Sequence, residues 1–249
     1  MSVDVIDLRE FYTTPLGQVS QSALLRTFSK LEPFKNDIEL VGIGYPVPLF
    51  DTLAKDISQA IILMPARQGA LQWPVGKDSK VALVDEDELP IETASVQCVV
   101  VLHLIENVAD PAQILNEIWR ILVPEGKLIL VAANRRGLWT RFEHTPFGNG
   151  RSFSRGQLSV LLRKAKLTPS HWNHTLNFPP IRFKSLMRFY PLLDKLGAKL
   201  WPLFCGAYVV TATKRLYQGV PVSAKRAAKV KMPVIAAQGA RTSREKMKN

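Results

Sequence analysis

A run of alternating apolar and polar segments between residues 81 and 131 constrains the fold most strongly. It contains three apolar stretches that favour β-strands, which are Val81–Val84, Val96–Leu102 and Lys127–Ala133. Before the third stretch, Asp110-Pro111 opens a segment whose apolar residues recur at helical spacing, namely Ile114, Leu115, Ile118, Ile121 and Leu122. Aspartate favours a helix N-cap and proline the first helical turn, so a helix is predicted there. Strands alternating with a helix indicate a parallel α/β sheet.

The rest of the chain extends this alternation. Further strands are predicted at residues 38–42, 59–64 and 207–212, and further helices at residues 4–12, 18–31, 48–58 and from Ser154 to about Lys166. Residues 137–150 are expected to form a loop, and residues 181–201 an amphipathic, basic stretch broken by Pro191 and Pro202. The fold class predicted is α/β, with a doubly wound, mostly parallel sheet and helices on both faces.

Several classes of protein are disfavoured by the composition. No apolar run reaches the ~18 residues that cross a bilayer, and the N-terminal MSVDVIDLREFY lacks the apolar core of a secretory signal. The two cysteines, Cys98 and Cys205, lie in apolar surroundings and are expected to be buried thiols rather than metal ligands. No metal site is predicted, and a cytoplasmic location is expected.

Positive charge is concentrated at the C-terminus. The formal net charge is +12, of which residues 214–249 contribute ten basic residues and one acid, hence +9. The remaining residues therefore carry about +3. A solvated, disordered basic arm is the simpler interpretation, and weak contact with nucleic acid or an anionic membrane is the alternative.

Two features at predicted strand ends indicate a bound small molecule. Gly42-Ile43-Gly44 ends the first strand of the sheet, and Asp85-Glu86-Asp87-Glu88 follows the third. Loops at the carboxyl ends of parallel strands hold ligands in α/β proteins, and glycines there let a ligand approach the backbone. A tight turn and a solvated acidic loop are the alternatives.

These features occur in one order: G-x-G, then D-E-D-E-L-P, then E-I-W-R-I-L-V-P-E-G-K. The set resembles the class I S-adenosylmethionine-dependent methyltransferases, in particular the type 11 branch, over about residues 38–168. The resemblance implies a Rossmann-like, seven-stranded sheet and S-adenosylmethionine as cofactor. The cofactor-binding residues that it implies are Gly42, Gly44, Tyr45, Gln68, Asp85, Glu86 and His103, and Glu106, Asn134 and Arg135 are expected at the rim of the substrate pocket.

The chain departs from the family pattern at several positions. Pro46 replaces the third glycine of the cofactor loop, and Val41 replaces an acid near its start. No acid follows the second strand to accept from the ribose hydroxyls, although the amide oxygen of Gln68 could substitute. Because a charged acceptor is worth about 1.5–3 kcal/mol, its loss predicts weaker binding, a modified cofactor or none.

A loop rich in arginines and aromatic residues follows the fifth strand. Trp139 and Arg141 are predicted to contact the substrate, and His144 is the candidate to take a proton from the methyl acceptor. A packed loop that closes the domain is the alternative.

Three functions remain open. The first is methyl transfer to a small-molecule or lipid-like acceptor by an aligned displacement, a reaction that asks for little beyond positioning. The second is methylation of RNA or protein, and the third is an inactive binding or scaffold protein. The predicted organisation is a helical segment at 1–36, a methyltransferase-like domain at 37–217 with a cap at about 137–205, and a basic tail at 218–249. The oligomeric state is not predicted.

Overall fold

The computed structural model describes residues 4–31, 37–55, 57–181 and 189–216. The basic tail and part of the amphipathic basic stretch lie outside these residues. The helices are α1 (Val5–Thr13), α2 (Pro15–Phe28), α3 (Val47–Leu53), α4 (Pro111–Ile121), α5 (Arg155–Lys164) and α6 (Tyr190–Leu200). The strands are β1 (Leu40–Gly44), β2 (Ala60–Pro65), β3 (Val81–Val84), β4 (Val96–Leu102), β5 (Leu122–Ala133), β6 (Leu167–Thr175) and β7 (Ala207–Lys214).

The seven strands form one sheet in the order β3-β2-β1-β4-β5-β7-β6. The neighbours from β3 to β5 pair in parallel, and β7 runs antiparallel to β5 and to β6. The order reverses on either side of β1, so a crevice forms at the carboxyl ends of the central strands. This arrangement confirms the predicted doubly wound, mostly parallel sheet.

Apolar side chains cover both faces of this sheet. One core cluster joins it to α1, α2 and α3 and includes Leu8, Leu24 and Phe50. The other joins it to α4 and α5 and includes Ile118 and Leu158. Burial on both faces explains why the central strands are apolar throughout instead of alternating.

The helix starts follow from side-chain caps. Asp4, Thr14 and Asp110 accept backbone hydrogen bonds at the starts of α1, α2 and α4. Ser154 and Gln157 form a reciprocal capping box at the start of α5. These caps satisfy N–H groups that have no partner inside the helix. The predicted starts of α4 and α5 are confirmed.

The structure corrects several predicted boundaries. Strand β1 lies two residues later than predicted, α3 ends at Leu53 rather than at residue 58, and β5 begins at Leu122 rather than Lys127. Strand β6 was missed because its sequence, LTPSHWNHT, is polar. Pro191 does not break a helix but stands in the first turn of α6, where its missing N–H costs nothing. No helix among the described residues is long and apolar enough to cross a membrane.

Candidate functional site

A narrow cleft opens at the carboxyl ends of β2, β3 and β4. Gln68 after β2, Glu86 after β3, and His103 and Asn107 after β4 line it. The structure therefore brings together Gln68, Glu86 and His103, three of the residues that the resemblance implies for cofactor binding. The free volume is about 10 Å³, which admits roughly one water molecule.

Two amide side chains in this cleft lack acceptor partners. The carbonyl oxygen of His103 accepts from Gln68 Nε2 at 3.1 Å and from Asn107 Nδ2 at 3.4 Å. Both side-chain amides therefore donate to the same backbone carbonyl group, that of His103. Gln68 Oε1 and Asn107 Oδ1 are buried and have no hydrogen-bond partner among the described residues. Such atoms are free to accept from a donor on a ligand.

The acidic cluster Asp85–Glu88 is divided between the cleft and the solvent. Glu86 is 7% exposed and lies 3.6 Å from Arg67 Nε. Asp85 is exposed, and its Oδ1 accepts from the backbone N–H of Asp87 at 3.1 Å. The structure therefore brings Glu86, and not Asp85, into the cleft.

His103 lines the cleft, is buried, and contacts the aromatic rings of Tyr12 and Phe147. Its Nε2 lies 2.7 Å from the hydroxyl of Tyr12, and its ring centroid lies 4.8 Å from that of Phe147. Burial lowers the pKa of His103 to about 3 and raises that of Tyr12 well above its usual range. Both rings are therefore neutral at physiological pH, and the tyrosine hydroxyl can donate to an unprotonated nitrogen.

Glu106 is a buried carboxyl group between the ends of β4 and β5. Its Oε1 accepts from the backbone N–H of Ala133 at 2.7 Å, whereas its Oε2 has no partner among the described residues. Burial raises the pKa of Glu106 to about 7, against the lowering effect of the backbone hydrogen bonds. A carboxyl group with this pKa can accept or release a proton near neutral pH.

The glycine turn at the end of β1 is closed by neighbouring side chains. A Cβ atom on Gly42 would lie 2.5 Å from Pro46 Cγ, and Phe50 also lies against this position. Gly44 has a φ of +89°, and a Cβ atom at this residue would lie only 2.4 Å from Leu102 O. Only glycine therefore fits at this position. The N–H of Tyr45 donates to Leu102 O at 2.8 Å. Both glycines are therefore required by the fold itself.

A larger cavity lies between α1, α2 and α3. Its volume is about 450 Å³, and Arg9, Tyr12, Tyr45, Asp51 and Leu71 are among its lining residues. The size is within the range of roughly 300–1,000 Å³ for small-molecule sites. Tyr12 lines this cavity and contacts His103, which lines the cleft, so the Tyr12–His103 pair stands between the two spaces.

The loop after β5 combines structural and exposed residues. Asn134 and Trp139 are fully buried. Asn134 Nδ2 donates to the carbonyl oxygens of Leu203 and Cys205, which ties the end of β5 to the segment before β7. In contrast, Arg135, Arg141 and His144 are exposed, and His144 contacts the ring of Phe142.

An ion pair in α4 holds the loop that follows the acidic cluster. Arg120 donates to the carbonyl oxygens of Leu89 and Ile91, both at 2.9 Å, and Glu117 accepts from the N–H of Leu89 at 3.0 Å. Glu117 and Arg120 also bind each other at 2.8 Å. The E-x-x-R spacing therefore positions the chain between β3 and β4.

Tyr12, Arg67, Asn107 and Phe147 were not predicted as site residues. Tyr12 lies 91 residues from His103, and no local pattern links them. Asn107 is adjacent to Glu106 in the segment after β4, so its position was the available signal. Among the described residues, no group of three potential metal ligands lies together.

The donors and acceptors of the site suit S-adenosylmethionine. Its ribose hydroxyls and adenine amino group are donors, and the residues that line the cleft include Gln68, Asn107 and Glu86, whose side-chain oxygens are acceptors. The cleft alone admits about one water molecule. S-adenosylmethionine would therefore fit only after Tyr12 and His103 separate.

Comparisons with known proteins agree with the architecture. A family model described as a methyltransferase domain matches residues 47–130, and no curated protein matches the chain. A SAM-dependent methyltransferase from Thermotoga maritima is 19% identical, with a TM-score of 0.58, over 85% of this chain and 96% of that one. Another from Mesorhizobium loti is 13% identical, with a TM-score of 0.55, over 80% and 99%.

A third similar structure is the geranyl diphosphate C-methyltransferase from Streptomyces coelicolor A3(2), solved with Mg²⁺, geranyl diphosphate and S-adenosyl-L-homocysteine. It is 16% identical, with a TM-score of 0.54, over 79% of each chain. At these identities the likeness shows a common fold. The chain therefore contains a segment, residues 47–130, that matches a methyltransferase domain model, and this segment lies within a sheet of the same fold as these structures.

Proposed function

We propose that the chain is an S-adenosylmethionine-dependent methyltransferase that acts on a small-molecule or lipid-like acceptor. The observation that carries this proposal is a set of three buried acceptor atoms without partners among the described residues, Gln68 Oε1, Asn107 Oδ1 and Glu106 Oε2. Leaving such an atom unsatisfied costs about 1–3 kcal/mol. All three follow β2 or β4 at the ligand-binding edge of the sheet, where a ligand with donor groups would offset that cost.

The cofactor would be held mainly from the ends of β2, β3 and β4. Gln68 and Asn107 would accept from the ribose hydroxyls, and Glu86 from the adenine amino group. When bound, S-adenosylmethionine supplies an electrophilic methyl group. The remaining task of the protein is to align the acceptor with that group and to exclude water.

The acceptor would enter from the cavity between α1, α2 and α3. A volume of about 450 Å³ accommodates a small molecule but not a folded protein or an RNA helix. Its lining is largely apolar, with Arg9 and Asp51 as charged members. Glu106, with a pKa of about 7, would take the proton that the acceptor loses, because its free Oε2 has no other partner among the described residues.

Binding requires movement of Tyr12. In this structure its hydroxyl is bonded to His103, and the cleft behind the pair holds about 10 Å³. Withdrawal of the Tyr12 side chain would join the cleft to the larger cavity. A closed state of this kind lowers the apparent affinity by the fraction of molecules that are open.

A second candidate is a binding protein of the same fold without activity. The closed glycine turn and the small cleft favour it. Methylation of RNA or protein is the remaining alternative, and the exposed Arg135, Arg141 and His144 are the residues that would support it.

Calorimetric titration of the full-length protein with S-adenosylmethionine and S-adenosylhomocysteine tests the proposal. We expect micromolar binding, and Gln68→Ala should weaken it between about 5- and 150-fold, since a lost acceptor is worth about 1–3 kcal/mol. Gln59→Ala is the matched control because Gln59 is exposed at the opposite end of β2. Absence of binding up to millimolar concentrations would overturn the proposal in favour of the inactive candidate.

A further inference from the structure

Exposed apolar side chains are concentrated in one segment of the described chain. The described residues include 13 exposed large apolar side chains, and seven of them lie between residues 189 and 204. They are Phe189, Leu192, Leu196, Leu200, Trp201, Leu203 and Phe204, each 44–63% exposed. We call α6 together with the 3₁₀ turn Pro202–Phe204 the apolar ridge. Contiguous exposed apolar surface of this kind usually marks a binding site.

The helix is attached to the body through its opposite face. Tyr190 and Gly197 are buried, and a Cβ on Gly197 would lie 1.8 Å from the carbonyl oxygen of Asn177. Asp194 Oδ1 accepts from the backbone N–H of Asn177 at 2.9 Å, and Asp194 Oδ2 lies 3.2 Å from Arg26. The inner face therefore packs on the body, and the outer face is the exposed one.

The outer face combines leucines with lysines. Leu192, Leu196 and Leu200 are spaced four residues apart and form one row along the helix. Lys195 and Lys199 form an adjacent exposed row. The one acid of α6, Asp194, is already bonded to Arg26 and Asn177. The outward charge of the helix is therefore positive.

This combination of chemistry fits the surface of an anionic bilayer. Leucines with tryptophan and phenylalanine enter the boundary between headgroups and acyl chains, and lysines beside them reach the phosphates. Tryptophan is favoured at that depth because one edge is apolar and the other polar. The chain carries further positive charge for such a surface, since residues 217–249 contain eight lysines and arginines and one acid, a net +7.

We infer that the apolar ridge docks the protein on anionic lipid membranes, with leucine and aromatic side chains in the interface and lysines on the headgroups. Docking of this kind is peripheral, because α6 has 11 residues and a spanning helix needs about 20. It does not depend on whether the chain transfers methyl groups.

Vesicle flotation of the full-length protein tests this inference. The probes are vesicles of phosphatidylcholine alone and vesicles of phosphatidylcholine with phosphatidylglycerol, at low salt and at 0.5 M salt. We expect binding to the anionic vesicles, at least tenfold weaker binding to the neutral ones, and partial loss in salt because the headgroup contacts are screened. No binding to anionic vesicles would overturn the inference.

The double variant Leu196→Glu/Leu200→Glu should reduce vesicle binding at least tenfold without changing the melting temperature, because both side chains point away from the body. Val160→Glu is the matched control, since Val160 is 56% exposed on α5 across the sheet. Unchanged binding by the double variant would assign attachment to the basic tail alone. A wild-type dimer that the double variant converts to a monomer, without vesicle binding, would assign the ridge to a second copy of the chain. Either result would overturn the inference.

Discussion

The hydroxyl of Tyr12 lies 2.7 Å from Nε2 of His103, which joins the N-terminal helix α1 to the end of the central strand β4. Tyr12 lines the larger cavity and His103 lines the narrow cleft, so the contact stands between the two spaces. Since both rings are buried and neutral, the bond is shielded from water. It stabilises the closed state against any ligand that needs the two spaces joined.

Removing this hydrogen bond should favour the open state. Tyr12→Phe keeps the packing of the ring but loses a bond worth about 1 kcal/mol. If the closed state predominates, the apparent affinity for S-adenosylhomocysteine should rise about fivefold, while thermal stability falls slightly. Calorimetry on Tyr12→Phe, with Tyr208→Phe on β7 as the control, measures both effects. Weaker binding by Tyr12→Phe would show that the hydroxyl helps to hold the ligand instead.

His103 and Glu106 should oppose each other in the pH dependence of stability. The folded pKa of His103 is about 3 against an ordinary 6.5, so its contribution to stability is lost as pH falls below 6.5. The folded pKa of Glu106 is about 7 against an ordinary 4.5, so its contribution is full below pH 4.5 and is lost as pH rises toward 7. Between pH 6.5 and 4.5 the two slopes are of opposite sign and largely cancel.

Glu106→Gln removes the contribution of Glu106 to the pH dependence of stability and leaves that of His103. The free energy of unfolding should then fall by up to about 1.4 kcal/mol per pH unit relative to wild type as pH drops from 6.5 to 4.5. Urea denaturation at several pH values measures the slope, with the exposed Glu143→Gln as the control. Parallel pH profiles for wild type and Glu106→Gln would show that Glu106 has an ordinary pKa in the folded protein.

Glu106 should also determine the pH dependence of methyl transfer once an acceptor is known. A base with a pKa of about 7 predicts a rate that rises with pH and levels off above about pH 8. Glu106→Gln should lower kcat by roughly 10²–10⁴-fold, the usual contribution of a general base, with a much smaller change in cofactor affinity. A retained pH profile in the variant would exclude Glu106 as the base.

Arg120→Met should loosen the loop between β3 and β4. The substitution removes the donors to Leu89 and Ile91 and leaves Glu117 without its ion-pair partner. We expect a loss of about 2 kcal/mol, or a fall in melting temperature of about 4–8 °C. Arg163→Met is the control because Arg163 is exposed at the end of α5, and it should change stability by less than about 0.5 kcal/mol.

Two helical glycines should respond in opposite directions to alanine. Gly197→Ala in α6 would place a Cβ 1.8 Å from the backbone oxygen of Asn177 and should lower the melting temperature as α6 is pushed away. Gly156→Ala in α5 meets only Ser154 Oγ at 4.0 Å and should raise stability by up to about 1 kcal/mol. Equal effects would show that α6 does not depend on close contact with Asn177.

The sequence by itself determined the sheet and the helices that show a clear period or cap. Strands β3 and β4 have the predicted limits because apolar runs of strand length were bounded by polar turns. Helices α4 and α5 start where their caps predict. Strand β6 was missed because it pairs on one side only, with β7, and an edge strand needs no apolar pattern.

Only the tertiary structure decided which residues meet at the candidate site. The family resemblance gave Gln68, Glu86 and His103 as expected cofactor-binding residues, and the structure places them in one cleft because parallel strands end at one edge of the sheet. The role of Tyr12 could not be predicted, because a helix at the other end of the chain brings it there. Burial likewise separated Glu86 from the exposed Asp85 and shifted the pKa of Glu106, since burial and desolvation depend on neighbours distant in sequence.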